Sequence, residues 1–434
     1  MELLVIGVIL ALLLTLSTGL PIAFTLFGLA ALFDLLVLGP KSLYLAYSAI
    51  FSNMSQELYI AVPLFVLMAM VLEISGIAGD LYEVMYKWMA GLRGGLAIGT
   101  CWISALIDAM SGLGATATLT MGVLALPEMR KRGYHKDIAL GCIPPSGALG
   151  PLIPPSVVMI ILGGLTGLSI GKLFMGGFLP GLLITALFAA YIAIRCYFQP
   201  HLAPAIPKEE RGSWLERILA LRGVILPLLL VILVLGSIYT GAATPTEAAG
   251  VGAMGTTLIA LFRKRLGWEK LNMALTATMK INAMVLWLLI GGTAFSVFLN
   301  SVGLSRTIVG LFTGLGLPAI AVVWIMLVIA LIMGCFVDGA SVLMITTPVF
   351  FPVIRALGMN ELWFGIVFTI SIVIGYVTPP FGMNLFYLKG VAPRDVSMAD
   401  IIVAVQPFTV LMIIGLILSV HFPEIPLLLP NLMK

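Results

Sequence analysis

Two short segments rich in proline and glycine interrupt long apolar stretches, and they constrain the fold of this chain more than any other feature. They are GALGPLIPPS at 147–156 and GYVTPPFGMN at 375–384. Aligning their Pro-Pro pairs fixes an offset of 225 residues. The chain is therefore predicted to contain two copies of one unit, each with a helix broken at membrane depth. The same offset also pairs Gly114 with Gly339, Ala115 with Ala340, Pro127 with Pro352, Arg130 with Arg355, Gly133 with Gly358 and Gly150 with Gly375.

The composition is that of a membrane protein. Of the 434 residues, 61% are hydrophobic and only 10% are charged, whereas a soluble globular protein carries about 25% charged residues. A helix that crosses the bilayer needs about 20 apolar residues, and runs of that kind recur along the chain. Because these runs are continuous and do not alternate like barrel strands, the sequence predicts an all-α polytopic membrane protein.

Charge and cysteine content exclude several classes of function. The net charge of +4 is interpreted as basic cytoplasmic loops, so no nucleic-acid partner is predicted. The four cysteines stand at unrelated spacings and imply neither a disulfide framework nor a metal framework. We find no nucleophile–base pattern and no phosphate-binding loop. The chain is therefore not expected to be an enzyme, and its energy source must be an ion gradient or another subunit.

The predicted domains follow the repeat. Residues 1–194 form the first copy, with scaffold helices, a hairpin and a broken helix, and residues 223–434 form the second copy with the same parts. A polar, proline-containing segment at 195–222 links them and is predicted to lie in the cytoplasm.

Each copy contains one apolar stretch that is too long for a single span. These stretches, at 94–129 and 318–357, have the small-residue centres MSGLGATAT and CFVDGAS. We predict two re-entrant hairpins, because a non-helical tip is tolerated at membrane depth only under protein or beside a water-filled cavity. Four less apolar segments are predicted as interfacial helices or, alternatively, as loops with helical content: 41–56, 77–92, 263–279 and 304–315.

The distribution of lysine and arginine predicts the orientation. If each hairpin returns to its own side, each copy has five full crossings, and the second copy is inverted relative to the first. A cytoplasmic linker then places 18 of the 23 lysines and arginines inside, as the positive-inside rule requires. The sequence thus predicts an inverted two-fold repeat whose N-terminus and C-terminus are both periplasmic.

The broken helices predict a cation site in each copy. Proline removes a backbone donor, and the freed carbonyl oxygens at the midplane are ligands that sodium uses in secondary transporters. A lone kink more often serves packing, but two matched kinks with matched hairpin tips favour binding. Asp108 faces such a site or, alternatively, a cavity or a basic partner. The predicted Na⁺ ligands are Asp108, Ser111, Gly150, Ile153 and Pro155 in the first copy, and Gly334, Asp338, Gly375, Thr378 and Phe381 in the second.

The motifs of the chain resemble a known family over nearly its whole length. SGLGATATLTMGVLALPEMRKRGY, SGALGPLIPPS, FVDGAS and GYVTPPFGMNLF are similar to the large membrane subunit of tripartite ATP-independent periplasmic (TRAP) transporters. The resemblance implies an elevator-type transporter in the bacterial inner membrane that takes up an organic acid, such as a C4-dicarboxylate or a sugar acid, with Na⁺. It also implies two protein partners, a periplasmic substrate-binding protein and a small membrane subunit of about four helices on a separate chain.

The resemblance also implies where the substrate lies. It is expected between the hairpin tips, near Ser111, Thr116, Ser156, Thr346, Thr347 and Asn384. A sodium–dicarboxylate symporter of similar architecture that needs no binding protein is the main alternative. An intramembrane enzyme would require clustered histidine or acidic residues within the bilayer, and a channel would transport without saturation.

Overall fold

The structure is a computed structural model that describes residues 2–89, 91–112, 114–207, 213–221, 223–314 and 316–433. These residues form α-helices, short 3₁₀ turns and loops, and no β-strand occurs among them. Leu113 in the first predicted tip, and residues 208–212 and 222 of the predicted linker, lie outside the described residues. The all-helical prediction is confirmed.

Among the described residues, eleven α-helices precede the predicted linker, and the last of them extends four residues into it. They are α1 (Glu2–Ser17), α2 (Ile22–Val37), α3 (Ser42–Met54), α4 (Ala61–Ile74), α5 (Ile77–Met89), α6 (Gly95–Ser111), α7 (Gly114–Lys131), α8 (Lys136–Ala139), α9 (Ile143–Gly147), α10 (Val157–Thr166) and α11 (Ile170–Phe198).

The later helices begin within the linker. They are α12 (Trp214–Leu221), α13 (Ile225–Tyr239), α14 (Pro245–Phe262), α15 (Trp268–Ser301), α16 (Leu304–Gly314), α17 (Ala319–Phe336), α18 (Gly339–Ala356), α19 (Glu361–Gly375), α20 (Met383–Val391), α21 (Met398–His421) and α22 (Glu424–Leu432).

The helix boundaries repeat the sequence offset of 225 residues. The hairpin helices α6 and α7 end at Ser111 and Lys131, and α17 and α18 end at Phe336 and Ala356. Helices α2 and α14, like α10 and α20, also end 225 residues apart. Several helix ends therefore recur at the spacing of the sequence motifs, while the repeat of the whole unit and its inversion stay predictions.

Six described helices are at least 18 residues long and apolar enough to cross a membrane. They include α11, α15 and α21, as well as both helices of the second hairpin, α17 and α18. Several shorter apolar helices, among them α2, α6 and α19, accompany them. This set agrees with a polytopic membrane protein.

Two boundary predictions are wrong. Residues 263–279 do not form a separate interfacial element, because α15 begins at Trp268 and runs unbroken for 34 residues. No proline interrupts it, and at 1.5 Å per residue it exceeds the ~30 Å hydrocarbon core, so its polar first turns project beyond that core. The linker also begins later than predicted, because α11 continues through residues 195–198, and the linker contains α12.

Helix α15 is the packing centre of the predicted scaffold, because α2, α3 and α4 all pack against it. At Gly291 it approaches α2 so closely that a Cβ atom there would lie 2.3 Å from the carbonyl oxygen of Ala23. Neither backbone can move without displacing its helix. The crossing therefore has room only for glycine at position 291.

We expect Gly291→Ala to lower the thermal unfolding temperature of the detergent-solubilised protein, because overpacking a helix crossing costs about 1–3 kcal/mol. Gly250→Ala in α14 is the matched control. A Cβ at Gly250 meets nothing within 4 Å, so alanine there should be neutral or slightly stabilising. Equal unfolding temperatures for the two variants would contradict the crossing.

Candidate functional site

The first hairpin tip lies against the first helix break. Helix α6 ends at Ser111, and Gly112 adopts a left-handed conformation with φ of 61° and donates its N–H to the carbonyl of Asp108 at 2.8 Å. A Cβ at Gly112 would lie 2.3 Å from the carbonyl oxygen of Pro155. The structure thus brings the predicted ligands Ser111 and Pro155 to neighbouring positions.

The first break covers the segment between α9 and α10, where the Pro154–Pro155 peptide is cis. Ser156 caps α10 by accepting a hydrogen bond from the Met159 N–H at 3.2 Å, and it donates its hydroxyl to the Pro151 carbonyl at 2.6 Å. Its side chain therefore closes the break itself. The structure gives Ser156 a positioning contact where the sequence predicted a substrate contact, and its substrate role stays a prediction.

The second hairpin tip is built around Asp338. This residue caps α18, because its carboxylate accepts hydrogen bonds from both the backbone N–H, at 3.1 Å, and the hydroxyl of Ser341. The backbone N–H of Gly339, which follows Asp338, donates to the buried Tyr376 hydroxyl at 2.7 Å. The tip of one hairpin is thereby tied to the break that follows it.

The second break packs closely on the helix that enters its hairpin. A Cβ at Gly375 would lie 2.6 Å from the carbonyl carbon of Gly334, and Gly382 donates its N–H to the Cys335 carbonyl at 3.0 Å. Thr378 donates its hydroxyl to the Ile374 carbonyl at 2.7 Å. The predicted ligands Gly334, Gly375 and Thr378 therefore lie in one region.

Phe381 is the member of this set whose side chain points away. It is 52% exposed, and its ring contacts those of Phe336 and Phe386. Only its backbone carbonyl, the group that the sequence analysis proposed, is available for a role in the site.

Asn384 joins the two halves of the molecule. Its side-chain N–H group donates to the Gly114 carbonyl at 3.0 Å, the Thr118 hydroxyl at 2.9 Å and the Pro144 carbonyl at 3.2 Å. One amide at the start of α20 thus bonds to the first hairpin and to the helix that precedes the first break. Asn384 is 1% exposed, so these contacts hold the two broken helices together in the interior.

A cavity of about 150 Å³ lies between the two hairpin tips. This volume is below the ~300 Å³ at the lower end for ligand pockets, so it suits only a small substrate. Both tips, both breaks and one face of α15 contribute to its wall. Its polar and tip residues are Gly112, Gly114, Ala115, Pro151, Asp338, Gly339, Ala340, Tyr376, Asn384 and Tyr387.

Comparison with known proteins identifies the family. The family described as "Tripartite ATP-independent periplasmic transporter, DctM component" matches residues 8–425. The chain belongs to this DctM family. Its relatives are transporter permeases and not enzymes, as predicted, and membership makes this chain a multi-pass membrane protein of a TRAP transporter.

Two relatives and one solved structure show the extent of the similarity. The C4-dicarboxylate TRAP transporter large permease protein DctM of Pseudomonas aeruginosa is 30% identical, with 93% of each chain covered. The ectoine/5-hydroxyectoine TRAP transporter large permease protein UehC of Ruegeria pomeroyi is 33% identical over 86% of each. The YdaH transporter of Alcanivorax borkumensis shares the fold, with a TM-score of 0.64, 13% identity, and coverage of 93% of this chain and 97% of that chain.

The remaining predicted substrate residues of this DctM-family chain lie away from the cavity wall. Thr346 donates its hydroxyl to the Val342 carbonyl at 2.7 Å, and the hydroxyl of Thr347 is buried with no hydrogen-bond partner among the described residues. Thr116 lines a separate, small cavity with Ser111 and Glu73. Thr346 and Thr347 are on the second hairpin helix, one to two turns beyond the tip.

Three polar residues at the cavity or its contacts were missed by the sequence analysis. Tyr376 lies in the GYVTPP motif, so the sequence of the second break could have indicated it. Tyr387 lies one turn after Asn384, and Thr118 lies one turn after Gly114 at the first tip. Helical spacing from the predicted tips points to both of them.

Asp108 is fully buried, and neither of its carboxylate oxygens has a hydrogen-bond partner in the described part of the chain. The hydroxyl of Ser104, one helical turn earlier, is unpartnered in the same way. The basic partner considered from the sequence is thus not seen. A buried carboxylate is costly unless it is paired or neutralised, so these two side chains suit a bound cation. The role of Asp108 as a Na⁺ ligand stays a prediction.

Ion pairs gather at one end of the molecule. Arg130 forms a two-bond pair with Asp395, at 3.1 and 2.6 Å, and Arg195 donates to Asp137 at 3.0 Å. The hydrogen bond from Arg130 holds the pKa of Asp395 below its usual value. The end that carries these pairs is the end that the charge count predicts to be cytoplasmic.

We expect Asn384→Asp to destabilise the protein, because a carboxylate would then face two carbonyl oxygens and a hydroxyl without the amide donor. Leaving buried polar groups unsatisfied beside a charge costs about 3 kcal/mol or more. Thermal unfolding in detergent measures this loss. The matched control is Asn300→Asp at the exposed end of α15, which should leave the unfolding temperature within about a degree of the wild type. An equally small effect at Asn384 would show that its three bonds do not hold the halves together.

Proposed function

We propose that this chain is the large membrane subunit of a sodium-coupled uptake system for a small organic acid, which a periplasmic binding protein delivers. A small membrane subunit on a separate chain completes the system in the bacterial inner membrane. The observation that carries the proposal is the convergence of two hairpin tips and two broken helices on one small cavity, with Asn384 bridging the halves.

The cavity favours an anionic substrate. Helix α7 begins at Gly114, α10 at Val157, α18 at Gly339 and α20 at Met383, and all four residues line the cavity. Helix N-termini carry partial positive charge and exposed N–H groups, which attract carboxylates. No arginine or lysine lines this cavity among the described residues, so the helix ends are the groups proposed to hold the acid.

The class of substrate follows from this electrostatics and from the relatives. Those named above are a C4-dicarboxylate transporter and an ectoine transporter, and a carboxylate is the kind of group that helix N-termini attract. We therefore propose a small carboxylate, such as a C4-dicarboxylate or a sugar acid, as the cargo.

Sodium is the proposed coupling ion. The carbonyl-rich breaks and the carboxylates of Asp108 and Asp338 supply oxygen ligands, which suit a hard cation. Among the described residues no group of three or more His, Cys, Asp or Glu residues is arranged to hold a metal ion, and a carbonyl site for Na⁺ needs none.

The proposed movement is an elevator. Hairpins α6–α7 and α17–α18, together with the broken helices, form the mobile unit, and the other long helices form the scaffold. At the boundary a Cβ at Gly292 of α15 would lie 2.2 Å from the Met344 sulfur of α18. Because glycine has no side chain, α15 and α18 approach closely here, and this is the contact along which α18 is proposed to move. The proposed orientation places both termini in the periplasm and the ion-paired end in the cytoplasm.

Reconstitution tests the function. The chain, its small subunit and a binding protein loaded with labelled organic acids would be assembled in proteoliposomes. We expect uptake only with an inward sodium gradient and a loaded binding protein. Uptake that is unchanged without the gradient would contradict coupling, and equal uptake of free acid without the binding protein would favour the two-hairpin symporter.

Replacing Asp338 tests the second cation site. Asparagine also caps helices well, so Asp338→Asn should keep the fold of the tip while removing its charge. We expect the sodium concentration for half-maximal uptake to rise about tenfold, which corresponds to about 1.4 kcal/mol. Glu424→Gln, which removes an exposed charge at the start of α22, is the control and should have no effect. Wild-type sodium dependence in Asp338→Asn would remove this residue from the site.

A further inference from the structure

Helix α12 leaves its apolar face uncovered. None of its residues is buried, and Trp214, Leu215 and Ile218 are exposed by 69%, 67% and 56%. Their spacing places them on one face of the helix, with Glu216 on the other. Arg217 lies beside this face, with its guanidinium 5.2 Å from the centre of the Trp214 ring. A short helix of this kind at the end of a membrane protein is suited to the interface between headgroups and acyl chains.

The loop between α14 and α15 carries a second interfacial pattern. Three consecutive basic residues, Arg263, Lys264 and Arg265, are followed within three positions by Trp268, which is 82% exposed, and are preceded by Phe262, which is 83% exposed. Aromatic residues prefer the headgroup level, and clustered basic residues attract anionic lipids.

Hydrogen bonds connect this loop to α5 and to the end of α12. One oxygen of Asp80 in α5 accepts hydrogen bonds from Arg263 at 3.2 Å and from Arg265 at 2.7 Å. Arg263 also donates to the Gly223 carbonyl, at 2.6 Å, just beyond α12. The Trp88 indole of α5 donates to the Arg217 carbonyl at 3.3 Å. The three elements therefore form one surface, which encloses a cleft of about 440 Å³.

The charge of this surface is positive. Asp80 offsets one of the three consecutive basic residues, and Lys87 pairs with Glu83 at the edge of the cleft at 2.6 Å. Glu216 is occupied as the partner of Ser213 in the cap of α12. In the part of the chain that the structure describes, a single carboxylate, that of Asp80, thus pairs with two of the three consecutive basic residues, and the loop keeps an excess of positive charge.

We propose that α12 and the loop 262–268 form a binding surface for anionic phospholipids. The phosphate lies beside Lys264 and Arg265, and the acyl chains lie along the apolar face of α12. A soluble anion would satisfy the basic loop alone, whereas a phospholipid satisfies both the basic loop and the uncovered apolar face. The proposed orientation assigns this surface to the cytoplasmic leaflet, and in that respect alone the inference rests on the proposed function.

The test compares lipids in detergent, where neither orientation nor sodium matters. Native mass spectrometry of the full chain would measure the binding of phosphatidylglycerol and of phosphatidylcholine with matched acyl chains. We expect the wild type to prefer phosphatidylglycerol. The double variant Lys264→Gln, Arg265→Gln should lose at least about fivefold of that preference, since each basic residue near the surface contributes about 1 kcal/mol.

Two further variants keep the test specific. Lys41→Gln with Lys172→Gln removes two exposed basic residues that do not belong to this surface and should retain the preference. Leu215→Ser with Ile218→Ser should weaken the binding of both lipids, because it removes apolar contacts with the acyl chains and leaves the charge unchanged. The proposal is overturned if the wild type shows no preference, if both charge variants lose it equally, or if inorganic phosphate displaces phosphatidylglycerol. Because no transport is measured, failure here leaves the proposed function intact, and failure of uptake leaves this result intact.

Discussion

Backbone groups that a broken helix releases inside a bilayer must find partners within the protein, because the hydrocarbon core offers no water. This requirement explains the polar contacts at the centre of the molecule. Ser156 bonds to Pro151 within the first break and to the first turn of α10, Tyr376 accepts an N–H from the second hairpin tip, and Asn384 donates to the opposite half. Each break is stable because another element satisfies it, so the breaks and the tips form a single connected site.

The same geometry sets the electrostatics of the site. Four helices begin at one cavity, and their partial positive charges converge there. Asp338 lies at this cavity, and Asp108 is buried just before the first tip with no partner among the described residues. The anion-attracting helix ends and the cation-attracting carboxylates are the groups proposed to hold the acid and sodium, respectively. The complementarity of these groups is the physical basis of the proposed coupling.

Close helix crossings hold the remainder of the fold around this site. Gly291 lets α15 approach α2, and Gly375 lets α19 approach α17. Where α15 meets the second hairpin, the contact is instead a glycine against the flexible side chain of Met344. The crossings at Gly291 and Gly375 lie within the proposed scaffold and the proposed mobile unit, respectively. A further close contact joins α11 to the first break, because a Cβ at Gly177 would lie 2.2 Å from the carbonyl oxygen of Leu152.

Much of the fold could be predicted from the sequence, because long apolar runs, Pro-Gly breaks and basic loops are local signals. They determined the helical class, the positions of both hairpins and both breaks, and the 225-residue spacing of the helix ends. The unbroken length of α15 and the helix within the linker were not predicted, since weakly apolar segments carry no clear stop signal.

The sequence by itself determined which residues stand at the tips and breaks, because glycine and proline act on their own backbone. Only the tertiary structure decided what their side chains do. The substrate roles of Ser156 and Asn384 stay predictions, and the structure shows that the Ser156 hydroxyl is donated within the break whereas the Asn384 amide is donated to groups far earlier in the chain. Hydrogen bonds between segments hundreds of residues apart depend on packing, and no local pattern specifies them.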